Sequence, residues 1–563
     1  MPTPAQIEEQ VQLEREAIAQ GLKRLRDNTS KLEEKSYASA TVYGVASIDA
    51  LMEPLVKRIE ETTYTRLKCG KGHQFHLIKE YVSKLEPLAS AAIACKLTFD
   101  KVFSHKEGSN NLTNVCDSIG HAVEDELQMR HYETHAPGLL NVLKENYWHK
   151  SIGTHQKIVV IQTLMNRYDV KKWQSWGRAN RVRLGAWLLD CIVQTSGWFF
   201  KDMRQEGRRR VNYVLPTPEF LEIKDKVMSE SELFAPLSWP MLIEPNDWTN
   251  ERPGGYLLNE VMRGNDMVRR GNNRCIQGET PIKFLNVIQK VKYRLNSFTV
   301  NVAEQLCEHG ISIGKFIPII EIPLPPKPVD IADNKDARKA YRRAAAEVMN
   351  KNAQAFRRSC RTRMTLDTVN KFKDKDFYIP WSFDYRGRAY PIPAFLTVQD
   401  TDFGKSLIRF ADESVLTEAG YEWLAFQCAT TYGLDKATMT ERLAWTSANI
   451  PLISRVALDP INNIGDWEIA EEPWQFLASC DEYYHCVVLK DRKTTGLCVA
   501  TDATCSGLQI LAGLARDKST AELVNVLPAD RPKDAYKVVA EVSKWNIPDR
   551  LRDVWDRKCV KRT

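Results

Sequence analysis

The sequence predicts a mainly α chain with a smaller α+β region towards its C-terminal end. Three observations predict it. Apolar residues recur at helical spacing through long stretches between residues 5 and 309. Past Asp376 the pattern changes to aromatic residues alternating around a glycine turn, from Phe377 to Pro391. From Gly496 to Asp517, after a turn signal at Thr494-Thr495-Gly496, a short β-leaning run, Leu497 to Thr501, leads through Asp502 into a helix.

Residues 5–35 place Ile7, Val11, Ile18, Leu22 and Leu25 on one stripe, as an amphipathic helix requires. Helical pattern continues through 45–65, 76–103 and 111–200. Between the first two, Tyr64-Thr-Arg66-Leu-Lys68-Cys69-Gly70-Lys71-Gly72-His73 reads as a short basic loop, suited to a phosphate or a minor groove, or as a plain surface turn. Cys69, His73 and His76 have loosely metal-like spacing but no fourth ligand nearby. The segment Arg204 to Val214 breaks the helical period and reads as an exposed hairpin or loop. Its adjacent Arg208, Arg209 and Arg210 sit beside Val211 and Tyr213, a composition for nucleic acid or for a charged edge that resists aggregation. Helical periodicity returns from 281 to 309, and Ile322 to Pro328, with four prolines, is a stiff linker. A helix follows from about 334 to 361.

With 563 residues the chain exceeds one hydrophobic core and should hold three or four domains. The 43% apolar and 27% charged content is that of a globular protein. No apolar run approaches the ~18 residues of a membrane span. The N-terminus lacks a signal peptide's basic start and apolar core. Thirteen cysteines without paired spacing read as reduced thiols. The net charge of +7 is modest, but thirteen Lys or Arg against four acids lie between Lys335 and Lys375. That local excess is larger than the whole chain's net charge, so a basic stripe stands on a slightly acidic remainder, as a polyanion track or a solvated helix face.

Two stretches carry chemistry. Asp502 stands at a predicted strand end, followed by small residues, where a carboxylate can hold a divalent cation or can simply open the turn. Its helix has Leu508, Leu511, Ala512 and Ala515 spaced for one buried face. Arg386 and Arg388 flank Gly387, and two guanidinium forks two residues apart suit adjacent phosphates, with Asp384 able to orient one of them. Lys405 follows shortly after.

With these residues in hand, the chain resembles the single-subunit DNA-dependent RNA polymerases of bacteriophages, mitochondria and chloroplasts. Asp384-Tyr-Arg386-Gly387-Arg388 resembles the family's Asp-x-x-Gly-Arg element. Asp502 with Cys505-Ser506-Gly507 resembles its first metal-binding motif, and Arg557 to Thr563 the opening of its nucleotide-gripping fingers helix. The resemblance extends upstream through Pro253 to Tyr256, Arg342 to Ala346 and Lys405. It implies a right-hand polymerase architecture: residues 1–290 a helical N-terminal promoter-binding domain, 291–375 a basic thumb-like region, 376–530 a partial palm, and 531–563 the start of the fingers. It implies DNA-directed RNA synthesis from NTPs with Mg2+ at a two-metal site. Asp502 and the Ala503 carbonyl would be metal ligands, with alanine here where close phage relatives have glycine. Arg557 and Lys561 would bind the triphosphate, Lys561 also serving as general acid. Arg386, Gly387, Arg388 and Lys405 would hold template and RNA–DNA hybrid. Arg66, Lys68, Arg208 and Arg209 would approach promoter DNA.

Beyond Thr563 the family continues with a ribose-sensing tyrosine and a His-Asp-Ser motif bearing the second metal-binding aspartate. The resemblance therefore implies a fragment, one half of a split enzyme completed by a separate C-terminal polypeptide, or a decayed relative. The alternative function is a promoter or single-strand DNA-binding protein without catalysis. The expected place is the cytoplasm of an infected bacterial host, with an organelle matrix second.

Overall fold

The computed structural model describes the chain except residues 1, 70–75, 77–80, 139–140, 142, 144, 146–153, 168–172, 263–265, 270–275, 502–504 and 563. It divides into two units, residues 15–237 and residues 1–14 with 238–563. Helices dominate both and the sheets are small, the mainly α class with a smaller α+β region that the periodicity predicts.

The unit of residues 15–237 packs the helices Val42–Cys69, Pro87–Val102, Leu112–His135 and Gly177–Ser196 around one core, with Leu55, Phe99, Ile119 and Leu188 fully buried. Two of these helices touch backbone to backbone: a Cβ on Gly120 would meet the Arg181 carbonyl, and one on Gly185 the Cys116 carbonyl. The predicted hairpin is present as β1 (Phe199–Glu206) and β2 (Arg209–Pro216), antiparallel in unbroken register. The expected basic loop at Tyr64–His73 is corrected. Residues 64–69 continue the helix Val42–Cys69, because nothing in Tyr64 to Cys69 opposes helix before Gly70.

The second unit is built on a four-stranded antiparallel sheet. Its strands are β3 (Lys292–Leu295), β4 (Phe377–Tyr378), β7 (Ile408–Val415) and β8 (Thr494–Leu497), in the order β4-β3-β7-β8. Beside it β5 (Trp381–Phe383) and β6 (Ala389–Pro391) form a separate hairpin. The helical run expected over 281–309 is therefore interrupted: helices Glu279–Ile288 and Ser297–His309 flank β3. Tyr293 decides this. It is buried, with its ring stacked 6.1 Å from Phe377 and 5.6 Å from Phe410 on the neighbouring strands.

The last strand also lies earlier than predicted. Thr494 to Gly496, read as a turn, belongs to β8 together with Leu497, while Cys498 to Thr501 is outside the strand. Gly496 explains the shift. A Cβ there would stand 2.5 Å from the Phe410 carbonyl and 3.1 Å from Arg409 Nε. The glycine marks a close strand-to-strand approach rather than a reversal. The helix Ser506–Ala515 forms as expected, but its apolar face is not buried. Only Ala512 is, with Ala521, Val524 and Ala535, and this core of small side chains leaves Leu508 and Leu511 exposed. The basic stripe lies on the helix Lys335–Arg358, capped by Asn334, and continues into Cys360–Lys371; the linker before it is irregular and mostly exposed.

Among the described residues no disulfide joins the cysteines, and no helix is long and apolar enough to cross a membrane.

Candidate nucleic-acid and nucleotide site

The tip of the β5–β6 hairpin is organised by one carboxylate. Asp384 Oδ1 accepts from the backbone N–H groups of Arg386 and Arg388, both at 2.9 Å, and Oδ2 accepts from Arg386 Nε at 3.0 Å. Gly387 closes the turn with φ +79°, a left-handed angle that favours glycine. Against the desolvation of its site, the hydrogen bonds from Arg388 and Arg386 hold the Asp384 carboxyl below its ordinary range. The arginines thus flank a turn, not the extended segment that would point both to one side. Arg386 leans on Asp384, while Arg388 stands exposed and forms no ion pair with a described residue. The turn holds one guanidinium in place and leaves the other available.

Lys405 sits on the short helix Asp402–Ser406, whose position is set by an aromatic cluster. Phe403, Phe316 and Trp474 have ring centroids 4.6–4.8 Å apart. Asp402 reaches across to cap the helix Pro473–Tyr483, accepting from the Trp474 N–H at 2.8 Å and the Gln475 N–H at 3.1 Å. Burial keeps its carboxyl above the usual range despite these bonds. Half-buried Lys405 lines a pocket of about 240 Å³ with Tyr293, Phe410, Gln475 and Cys498. Desolvation pushes the Cys498 thiol up to about 12, so it stays protonated and inert there.

Strand β8, which leads towards Asp502, is tied down by buried charge. Glu482, 3% exposed, accepts from Thr495 Oγ1 at 2.6 Å and pairs with Arg409 and Arg492, each at 3.4 Å. Arg409 also meets Glu413 at 2.8 Å, and Arg492 meets Asp481 at 3.0 Å. Sequence reasoning missed this network, since its members are scattered across residues 409–495 with no local spacing to connect them. Asp502 and Ala503 themselves lie outside the described residues, as does His73. Among the described residues no cluster of three or more His, Cys, Asp or Glu is placed to hold a metal.

Arg557 and Lys561 stand four apart on the helix Arg557–Arg562, as their spacing predicts. Lys561 is exposed, whereas Arg557 pairs with Asp534, the cap of the helix Ala535–Ser543. Desolvation raises the Asp534 carboxyl, but the Arg557 contact and the Lys537 N–H outweigh it and hold it low. The Asp534 carboxylate occupies Arg557 as a phosphate oxygen would. Arg208 and Arg209 lie at the exposed tip of the β1–β2 hairpin, and Lys68 is exposed near the end of its helix. Arg66 is on the same helix.

Comparison with known proteins agrees at both ends of the chain. A family model described as DNA-directed RNA polymerase N-terminal matches residues 9–272, and one described as DNA-dependent RNA polymerase matches residues 414–563. The DNA-directed RNA polymerase of Enterobacteria phage T3 is 26% identical over 95% of this chain and 61% of its own length. The mitochondrial DNA-directed RNA polymerase of Neurospora crassa is 29% identical over 67% of this chain and 28% of its own length. The chain thus spans about 61% of the length of the phage relative. With both family models matched in order and the Asp384–Arg388 turn between them, the chain belongs to the single-subunit, phage and mitochondrial type of DNA-dependent RNA polymerases.

Proposed function

We propose that this chain serves DNA-directed RNA synthesis, the template-dependent transfer of nucleotides from NTPs to a growing RNA 3′ end. The observation that supports this most is the paired match, an N-terminal polymerase model followed by a DNA-dependent RNA polymerase model along the one chain. The match over residues 9–272 supports an N-terminal polymerase region there. With it we propose a promoter-binding domain over residues 1–290, followed by thumb, palm and fingers at 291–375, 376–530 and 531–563 in a right-hand arrangement.

The Asp502 carboxylate and Ala503 carbonyl are hard oxygen donors, the set that suits Mg2+. Bound there, Mg2+ supplies Lewis-acid activation of the 3′-hydroxyl and stabilisation of the pyrophosphate. The chain's own residues do the rest. Arg557, released from Asp534, and Lys561 take the triphosphate, and Lys561 gives a proton to the departing pyrophosphate. Arg386 and Arg388, with Gly387 letting the strand approach closely, hold template phosphates, and Lys405 holds the hybrid. Lys68, Arg66, Arg208 and Arg209 bind promoter DNA by its phosphates. Residues matching the remainder of the relatives' length, joined to this chain or supplied as a separate C-terminal polypeptide, carry the second carboxylate. The phage relatives support action in the cytoplasm of an infected bacterium.

The test is incorporation of labelled NTPs on a promoter template by the chain completed with that polypeptide. Template- and Mg2+-dependent product is expected. DNA binding without any incorporation by the completed protein would overturn the reading.

A further inference from the structure

We propose that Arg269 is a positioning residue that holds the β5–β6 hairpin in the shape that presents Arg386 and Arg388 to phosphates. The inference rests on the phosphate-binding reading of those two arginines. Arg269 lies in a short segment running parallel to β5: its N–H donates to the Phe383 carbonyl, and the Phe383 N–H donates to the Met267 carbonyl, both at 2.7 Å. Its side chain then crosses the hairpin. Nε donates to Ser382 Oγ on β5 at 2.8 Å, and a terminal nitrogen donates to the Pro391 carbonyl on β6. The guanidinium lies 5.7 Å from the ring centre of Tyr390, the residue directly opposite Ser382.

One planar fork therefore joins both strands, two residues before Asp384 on one side and three after Arg388 on the other. A lysine ammonium has no such fork and cannot bridge both acceptors in this geometry. The cost of half-burying a guanidinium against a neutral hydroxyl and a carbonyl is offset if the hairpin must not splay. A two-stranded hairpin of three-residue strands is marginal alone, so its turn geometry depends on such support. The side chains of Arg386 and Arg388 inherit their direction from that turn, through the Asp384 bonds to their N–H groups.

The test compares Arg269→Lys and Ser382→Ala with the double variant Arg386→Ala/Arg388→Ala. Two readouts are taken on the full chain: amide hydrogen exchange, and the salt dependence of binding to a short DNA oligonucleotide. Arg269→Lys keeps the charge and loses the fork. It is expected to speed exchange at the amides of Asp384 to Arg388 by about tenfold or more, with β3 and β7 unchanged. Ser382→Ala should act in the same direction and less strongly. In binding, Arg269→Lys should lower the slope of log K against log salt by roughly 1.5, as the double variant should, since each lost phosphate contact removes about 0.7–0.9. Added to the double variant it should cost nothing further.

Unchanged exchange in the turn overturns the proposal, as does faster exchange spread over the whole unit, which marks a merely structural arginine. A slope change additive with the double variant also overturns it, because Arg269 then meets phosphate itself. If the double variant leaves the slope unaltered, the phosphate reading of the hairpin fails, and hydrogen exchange alone decides whether Arg269 positions the turn.

Discussion

Asp384 shows how much one side chain can organise. Its carboxylate gathers two backbone N–H groups and a guanidinium, and its folded pKa lies below the usual 3.8. A lowered acid contributes stability that is complete above its unfolded pKa and lost as pH falls through the folded value. The turn is therefore expected to hold at neutral pH and loosen only below about pH 4. An NMR titration of the Asp384 carboxyl checks this; a midpoint at or above 3.8 contradicts it. Gly496 makes a second case, because the missing Cβ is what lets β8 approach β7. Gly496→Ala should cost about 1–3 kcal/mol, the range for overpacking a tight contact. Urea unfolding measures it, and a change within about 0.5 kcal/mol would mean the strands part freely.

At the scale of elements, the charge network beneath β8 is the support with the most at stake. Replacing Glu482 by alanine strands Arg409 and Arg492 beside their remaining partners and frees Thr495. Loss of one member of a buried pair costs about 3–5 kcal/mol, and since each arginine retains a second carboxylate the lower end is expected. Unfolding of Glu482→Ala alongside Arg409→Met/Glu482→Leu checks it, the apolar pair being expected to recover part of the loss.

The same elements show what the sequence made legible. The glycine turn at Asp384–Arg388, the β1–β2 hairpin and the amphipathic helices were readable because their signals are local. Strand β3 was not: four residues between two helices become a strand only because Tyr293 finds Phe377 and Phe410, which are far away in sequence. Gly496 was misread for a similar reason, since a glycine reads as a turn until the strand it must approach is known. Arg269 carried only a weak signal, a basic cluster ahead of Gly271, and its acceptors lie more than a hundred residues on.

For the whole molecule, the ordered landmarks made the family readable, and the two family models agree with them. Burial was harder to foresee. The helix after Asp502 was expected to bury one face, and in this chain Leu508, Ile510, Leu511 and Leu514 remain exposed. The basic helix Lys335–Arg358 keeps its charge in solvent, as both a polyanion track and a solvated helix face require. The proposed function makes the Asp502 carboxylate catalytic. The most direct test is the rate of templated NTP incorporation by the completed protein with Asp502→Asn, a substitution that removes the charge and keeps the shape. A fall of roughly a thousandfold or more is expected, with promoter binding retained, on the scale seen when an essential catalytic group is lost. Incorporation at the unsubstituted rate would contradict the account.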